Sequence, residues 1–133
     1  MIDPLDSLPM KIATFSLIVI SVLMSSLAQI VLKAGMSSPA VAAALAAESR
    51  VITLTAALTN PLVLAGLTIY FLSAVVWLLV LARVDVSLAY PFVGLGFVVT
   101  MLLGWLVHGE ILTLGRVAGT LLIGLGVVLI ATR

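Results

Sequence analysis

The stretch that decides the fold is 86–133, VSLAYPFVGLGFVVTMLLGWLVHGEILTLGRVAGTLLIGLGVVLIATR. It contains two apolar runs, at about 87–107 and 114–132, joined by the short polar turn His108-Gly109-Glu110. A membrane-crossing helix needs about 20 mostly apolar residues, so each run is long enough to cross once. The stretch therefore predicts a hairpin of two transmembrane helices.

Small residues recur along both helices of this predicted hairpin. Glycine lets helix backbones approach closely in lipid, where no hydrophobic effect drives helices together. We therefore expect the tightest packing of the molecule in this hairpin, and contacts between helices or between subunits at Gly96, Gly104, Gly115, Gly119 and Gly126.

The composition of the whole chain agrees with a membrane protein. The 133 residues are 64% hydrophobic and 8% charged, against about 25% charged residues in soluble domains. Two further apolar runs, at about 12–35 and 61–82, bring the predicted spans to four, and none alternates polar and apolar residues as barrel strands do. We predict an all-α, polytopic membrane protein in which residues 1–133 form a single four-helix domain.

Two segments lie outside the predicted spans. Residues 1–10 are interpreted as a short frayed lead-in. Residues 36–59 contain Ser38-Pro39 near their start, which resembles a helix start, and continue as an alanine-rich run too short to cross a membrane. This connection is predicted to be a short interfacial helix or a loop at the membrane surface.

A polar stripe runs along the first span. Ser21, Ser25, Gln29 and Lys33 follow one another at four-residue steps and so share one helix face. An amide and an ammonium one turn apart in an apolar span must face the bundle interior or reach the membrane interface. Ser21 is interpreted as a helix-packing residue, and for Lys33 both a binding role and extension to the headgroups stay open.

Aromatic residues in the second and third spans offer a wall for a ligand. Tyr70, Ser73 and Trp77 share one face of the second span, although Trp77 is also placed to be an interfacial anchor. Tyr90 precedes Pro91, which removes a backbone hydrogen bond and either starts or bends the third span.

The turn after the third span carries Glu110, with Arg116 six residues further on. A Glu110–Arg116 surface pair is the simpler expectation, and a gating or dimer-contact role for these two residues is the alternative. His108 and Glu110 are too few ligands for a metal site.

Several functions are excluded by what the sequence lacks. It has no cysteine, one histidine, no nucleotide or hydrolase motif and no carboxylate within any span, so neither a catalytic residue nor a cofactor is predicted. A net charge of +1 offers no basic surface for nucleic acid. What remains is the binding or movement of a molecule in the membrane.

In the order and spacing of its motifs, the chain resembles four-helix members of the drug/metabolite transporter superfamily. The small multidrug resistance branch is similar in Ala89-Tyr90, in the LLGW at 102–105, in Gly109-Glu110-x-Leu112 and in the glycine motif from Gly119 to Val127. The EamA-like small subunits of the undecaprenyl-phosphate aminoarabinose flippase are similar in WLLVL at 77–81, in VDVSLAYP at 84–91 and in a glutamate after the third span.

The first span separates the two branches. Small multidrug exporters carry a proton-coupling glutamate eight residues before a lysine, and here that position is Ser25, which does not titrate. The flippase subunits have a glutamine four residues before a lysine, as Gln29 and Lys33 stand here. The resemblance implies a lipid-phosphate headgroup bound among Ser25, Gln29, Lys33, Tyr70, Trp77 and Tyr90.

The resemblance also implies how the chain works and where. It implies a flippase of polyprenyl-phosphate-linked sugar in the bacterial inner membrane, acting as a homodimer or as a heterodimer with a paralogue. An exporter of small cations or metabolites and a non-transporting partner subunit are the alternatives. Lys11, Arg83 and Arg133 are expected on one side of the membrane and Lys33, Arg50 and Arg116 on the other, which gives no orientation bias.

Overall fold

A computed structural model describes residues 12–132 of the chain. The acidic lead-in at 1–10, together with Lys11 and Arg133, lies outside the described residues. Within 12–132 the secondary structure consists of helices and turns, without a strand. The all-α prediction is therefore confirmed for the described part.

Four helical segments are long and apolar enough to cross a membrane. They are α1 (Ile12–Met36), α4 (Pro61–Leu81), a third segment over Val86–His108, and α7 (Leu114–Ala131). Their bounds agree with the predicted spans to within one residue. Apolar runs near 20 residues and sparse charge explain this agreement, because lipid requires each crossing segment to satisfy its own backbone hydrogen bonds.

The third span is interrupted near its start. It consists of α5 (Val86–Ala89), a 3-10 turn (Tyr90–Phe92) and α6 (Val93–His108). Pro91 lacks a backbone N–H, so an uninterrupted α-helix cannot continue through it with all its hydrogen bonds. Of the two alternatives for Pro91, a start or a bend of the third span, the structure shows an interruption within the span.

The connection between the first two spans folds as two short helices. These are α2 (Pro39–Ala46) and α3 (Arg50–Leu58), and Glu48 between them has a left-handed φ of 53°. Ser38 occupies the cap position of α2 with proline directly after it, as predicted, whereas α3 is an additional helix. Thr53 Oγ1 donates to the Ala44 carbonyl at 3.2 Å and so links the two helices.

The closest helix packing is between α1 and α4, which run antiparallel. A Cβ added to Gly35 would lie 2.8 Å from the backbone N of Val63, and one added to Gly66 would lie 2.7 Å from Cγ of Leu32. Asn60 fixes the start of α4 by accepting a hydrogen bond from the backbone N–H of Leu62 at 2.9 Å. Glycine on each helix thus leaves room for Val63 and Leu32 of the facing helix to pack directly against its backbone.

The expectation that the hairpin of the third and fourth spans packs most tightly is therefore wrong. Cβ atoms added to Gly115, Gly119 and Gly126 would have no neighbour within 4 Å, because the glycine face of α7 is turned away from the rest of the chain. Val127 is the one buried residue that α7 contributes among the described residues. Close contact between α6 and α7 occurs at Gly94, whose added Cβ would lie 2.8 Å from Cγ2 of Ile123.

The other small residues of α6 face elsewhere. A Cβ on Gly96 would lie 3.5 Å from Ser26 Oγ on α1, and one on Gly104 would lie 3.0 Å from a carboxylate oxygen of Glu110. The apolar core forms where α1, α4, the interrupted span and α7 meet, at Ile18, Val22, Val80, Ala89, Phe92 and Val127. This core holds α1 in the centre of the described chain, with its polar stripe beside α4 and α6.

Candidate functional site

The polar stripe of α1 borders two cavities that follow one another along the helix. Ser21 and Ser25 line the first cavity, while Gln29 and Lys33 line the second. Ser25 and Gln29 are one turn apart, about 6 Å along the axis, so the cavities are neighbours. The single site expected from the sequence is thus divided between two cavities.

The first cavity, which we call the serine–aromatic pocket, has a volume of about 240 Å³. It lies between α1, α4 and the interrupted start of the third span. Its polar and aromatic lining consists of Ser21, Ser25, Tyr70, Ser73, Trp77 and Tyr90. The expected aromatic wall is therefore present. Trp77 belongs to it and is partly buried against the core. Its role as an interfacial anchor stays a prediction.

Hydrogen bonds within this pocket join α1 to α4. Ser21 Oγ donates to the Ser73 carbonyl at 2.9 Å, which confirms a packing role for Ser21. Ser25 Oγ donates to its own helix, to the Val22 carbonyl at 2.9 Å. Tyr70 and Tyr90 are 45% and 63% exposed, and neither hydroxyl bonds to another residue within 12–132. Both phenol groups are therefore free to meet a ligand.

The second cavity, which we call the lysine–glutamate pocket, has a volume of about 350 Å³. Lys33 Nζ donates to Glu110 Oε1 at 2.9 Å, and their side chains are 54% and 37% exposed. The lining of the lysine–glutamate pocket consists of Gln29, Ile30, Leu32, Lys33, Met36, Thr100, Gly104 and Glu110. Gln29 is exposed and makes no hydrogen bond to another described residue, so its amide is available beside the ammonium.

The turn after α6 delivers Glu110 to this pocket. Gly109 ends α6 in the left-handed conformation, with φ of 64°, which reverses the chain direction. The Glu110 backbone N–H then donates to the Gly104 carbonyl at 3.3 Å, and the absence of a side chain on Gly104 leaves room for the carboxylate. His108 Nε2 donates to the Ile30 carbonyl at 3.1 Å and fixes the end of α6 to α1.

The expectation that Glu110 and Arg116 form a surface pair is wrong. The reversal at Gly109 turns Glu110 back over α6 toward α1, whereas Arg116 lies in the first turn of α7. Arg116 Nη1 instead donates to the Ile111 carbonyl at 3.2 Å. The role of either residue in gating or in a dimer stays a prediction.

The pairing with Lys33 also changes the acidity of Glu110. The hydrogen bond from Lys33, and then its positive charge, lower the pKa of Glu110 below its ordinary value, with smaller contributions from His108 and Arg116. Glu110 is therefore an anion at neutral pH, and the lysine–glutamate pocket presents one cation and one anion in contact.

Two polar residues at the site were not predicted to belong to it. Ser26 Oγ donates to the Gly96 carbonyl at 3.3 Å and joins α1 to α6, and Thr100 lines the lysine–glutamate pocket. A third cavity, of about 430 Å³, lies at the turn between α4 and α5 beside Arg83 and Asp85. That cavity contains none of the stripe, so we place the site at the other two. Residues 12–132 hold no group of three or more metal-ligating side chains.

These features define a multi-pass membrane protein with a polar face along one central helix. The chain is 54% identical over 39 residues to a protein of Pseudomonas savastanoi pv. phaseolicola. The matched stretch covers 29% of this chain and 34% of that protein. Over 76 residues it is 41% identical to a protein of Pseudomonas aeruginosa, covering 57% of this chain and 66% of that one. Both are named probable 4-amino-4-deoxy-L-arabinose-phosphoundecaprenol flippase subunit ArnE.

This similarity confirms the resemblance to small flippase subunits that the motifs indicated. The matches span about a third and just under two thirds of the two curated relatives' length. No family model and no solved structure matches the chain. Both relatives are named as subunits of a flippase and not as enzymes, which agrees with the predicted absence of catalysis. The four apolar helices are those of a multi-pass membrane protein.

Proposed function

We propose that the chain is a flippase subunit that moves a polyprenyl-phosphate-linked sugar across the bacterial inner membrane. The observation that carries the proposal is the polar face of α1, which supplies Lys33 and the free Gln29 amide at one end and the serine–aromatic pocket one turn further along. The similarity to flippase subunits supports the same function.

The phosphate of the headgroup binds at Lys33 and Gln29 in this proposal. An ammonium and an amide N–H are hydrogen-bond donors that suit an anionic oxygen. Lys33 lies in the last turn of α1, at the depth where a lipid headgroup would first meet the protein. The polyprenyl chain stays in the bilayer, so neither cavity has to enclose it.

The sugar hydroxyls are then received by the serine–aromatic pocket as the headgroup moves inward. Ser25 and the hydroxyls of Tyr70 and Tyr90 can donate and accept hydrogen bonds, and aromatic rings provide flat apolar faces for a sugar. In this account the two pockets are successive positions of the headgroup along α1.

A proton-coupled exporter of cationic drugs is less well supported. The carboxylates within residues 12–132 are Glu48, Asp85 and Glu110, and all three lie outside the spans. A carboxylate inside the membrane would be needed both to carry the proton and to attract a cation. Ser25, at the corresponding position, does neither.

The subunit is proposed to work with a second chain, either a copy of itself or a paralogue. A second chain would enclose the headgroup on the sides of the two pockets that these four spans leave open. The exposed glycine face of α7, at Gly115, Gly119 and Gly126, supports close approach of a partner helix there.

The test is binding of the purified protein to undecaprenyl phosphate, compared with tetraphenylphosphonium as a cationic drug. We expect the phosphate lipid to bind and the cation not to bind. Lys33→Ala and Gln29→Ala should each weaken lipid binding by about tenfold or more, since a hydrogen bond to a charged group contributes about 1.5–3 kcal/mol.

Ser21→Ala is the matched control on the same helix face. It removes one interhelical hydrogen bond, worth about 0.6 kcal/mol in membranes, but no group that the phosphate would contact. Its lipid affinity should stay within about twofold of the parent. Parent-like binding by Lys33→Ala would refute the phosphate site.

A further inference from the structure

The two charged groups of the lysine–glutamate pocket sum to no net charge. Its two charged groups, Lys33 and Glu110, are in contact at 2.9 Å, and both side chains remain partly exposed to the cavity. A phosphate that takes the ammonium of Lys33 must therefore replace the carboxylate that already holds it.

The position of the carboxylate is built into the backbone. The left-handed Gly109 and the hydrogen bond from Glu110 N–H to the Gly104 carbonyl hold Glu110 over α6. Because Gly104 would bring a Cβ to 3.0 Å from Glu110 Oε2, the carboxylate lies directly against the helix. A displaced Glu110 would therefore stay close to the ligand that displaced it.

Charge balance then decides which headgroup binds well. An anion-only headgroup exchanges one ion pair for another and leaves the Glu110 carboxylate without a counter-ion beside the phosphate, where like charges repel. A headgroup that also carries an ammonium exchanges one ion pair for two. The cavity of about 350 Å³ lies within the size range of small-molecule sites, so it can hold such a group.

We infer that Glu110 is the residue that selects the charge of the headgroup. It neutralises Lys33 in the empty site and becomes the partner of a cationic group on the headgroup once the phosphate has taken Lys33. The inference rests on the proposed function, because it assumes that Lys33 binds the phosphate.

The experiment compares two ligands that differ by one group: a farnesyl-phosphate-linked aminopentose and the same compound with a hydroxyl in place of the amine. Affinities for the full-length protein in detergent micelles are measured by titration calorimetry. The parent should prefer the amine-bearing ligand by about tenfold, the usual scale for one hydrogen bond to a charged group.

Glu110→Gln should remove that preference to within about twofold and should bind the amine-free ligand more tightly than the parent does. Glu110→Asp keeps the charge and should keep a preference for the amine, which separates the effect of charge from an effect on folding. Glu48→Gln, which removes a carboxylate from the α2–α3 turn outside the pocket, should behave like the parent.

The outcomes distinguish this inference from the proposed function. Equal binding of both ligands by the parent, or an unchanged preference in Glu110→Gln, would overturn the role of Glu110 and leave the phosphate site standing. Binding of neither ligand by the parent would overturn the proposed function and this inference with it.

Discussion

At the scale of single residues, Lys33 and Glu110 show what spacing along the chain does and does not determine. Ser21, Ser25, Gln29 and Lys33 could be assigned to one face from their four-residue steps, and the structure confirms it. The partner of Lys33 lies 77 residues away, and only the reversal at Gly109 brings it there. Sequence proximity suggested Arg116 as the partner of Glu110, which was wrong because the intervening turn separates them.

The ion pair has a consequence for stability that depends on pH. Its contribution is present at neutral pH, because Glu110 is ionised there and its pKa is lowered in the folded protein. As the pH falls through that lowered pKa, the carboxylate takes up a proton and the contribution is lost.

We predict that the parent unfolds at a higher temperature than Glu110→Gln at neutral pH, and that this difference disappears at acidic pH. Thermal unfolding of both proteins in the same detergent across a pH series measures it. Taking the difference cancels the titration of the other carboxylates, which both proteins share. A difference that stays constant with pH would mean that the Lys33–Glu110 pair does not stabilise the fold.

At the scale of helices, the number and bounds of the spans could be predicted because composition and length decide them. Which helices pack most closely could not be predicted from composition and length. Gly35 and Gly66 are single glycines in two different spans, and their importance depends on the antiparallel register of α1 and α4. The glycine repeats of the last two spans were more visible in the sequence, yet those of α7 face away from the chain.

This difference predicts opposite results for two glycine-to-alanine substitutions. Gly66→Ala should destabilise the protein by about 1–3 kcal/mol, since its Cβ would meet Cγ of Leu32 at 2.7 Å. Gly119→Ala should leave the stability of the chain unchanged or raise it slightly, because its Cβ meets nothing within 4 Å and alanine favours helix. Unfolding in detergent at a protein concentration that keeps the chain monomeric checks both. Equal effects would contradict the assignment of α1–α4 as the tight pair.

At the scale of the whole molecule, the exposed face of α7 predicts an assembly. Gly119→Leu and Gly126→Leu should weaken association with a second chain while leaving the fold intact, because leucine keeps a partner helix away. Cross-linking in membranes and light scattering in detergent measure the association. Unchanged association in both variants would place the interface elsewhere.

The sequence divides its lysines and arginines evenly between the two sides of the membrane, so these charges favour neither orientation. Among the described residues, Arg83 lies on one side, and Lys33, Arg50 and Arg116 lie toward the other. Single cysteines at Ala47 and Ala82, labelled from outside intact cells, should both react if the chain inserts in two orientations. Labelling at one position alone would exclude an antiparallel homodimer and favour a paralogous partner.

The central claim, that the chain moves a lipid-phosphate-linked sugar along the polar face of α1, is tested most directly by translocation in proteoliposomes. A fluorescently tagged polyprenyl-phosphate sugar is placed in both leaflets, and the fraction that an external quencher reaches is followed over time. The purified protein, with its partner chain if one is required, should expose the inner-leaflet lipid at a rate that Lys33→Ala reduces by about tenfold or more. Ser16→Ala, which removes a hydroxyl of α1 outside both pockets, should leave the rate within about twofold. Equal rates for the parent and Lys33→Ala, or no translocation above protein-free vesicles, would contradict the claim.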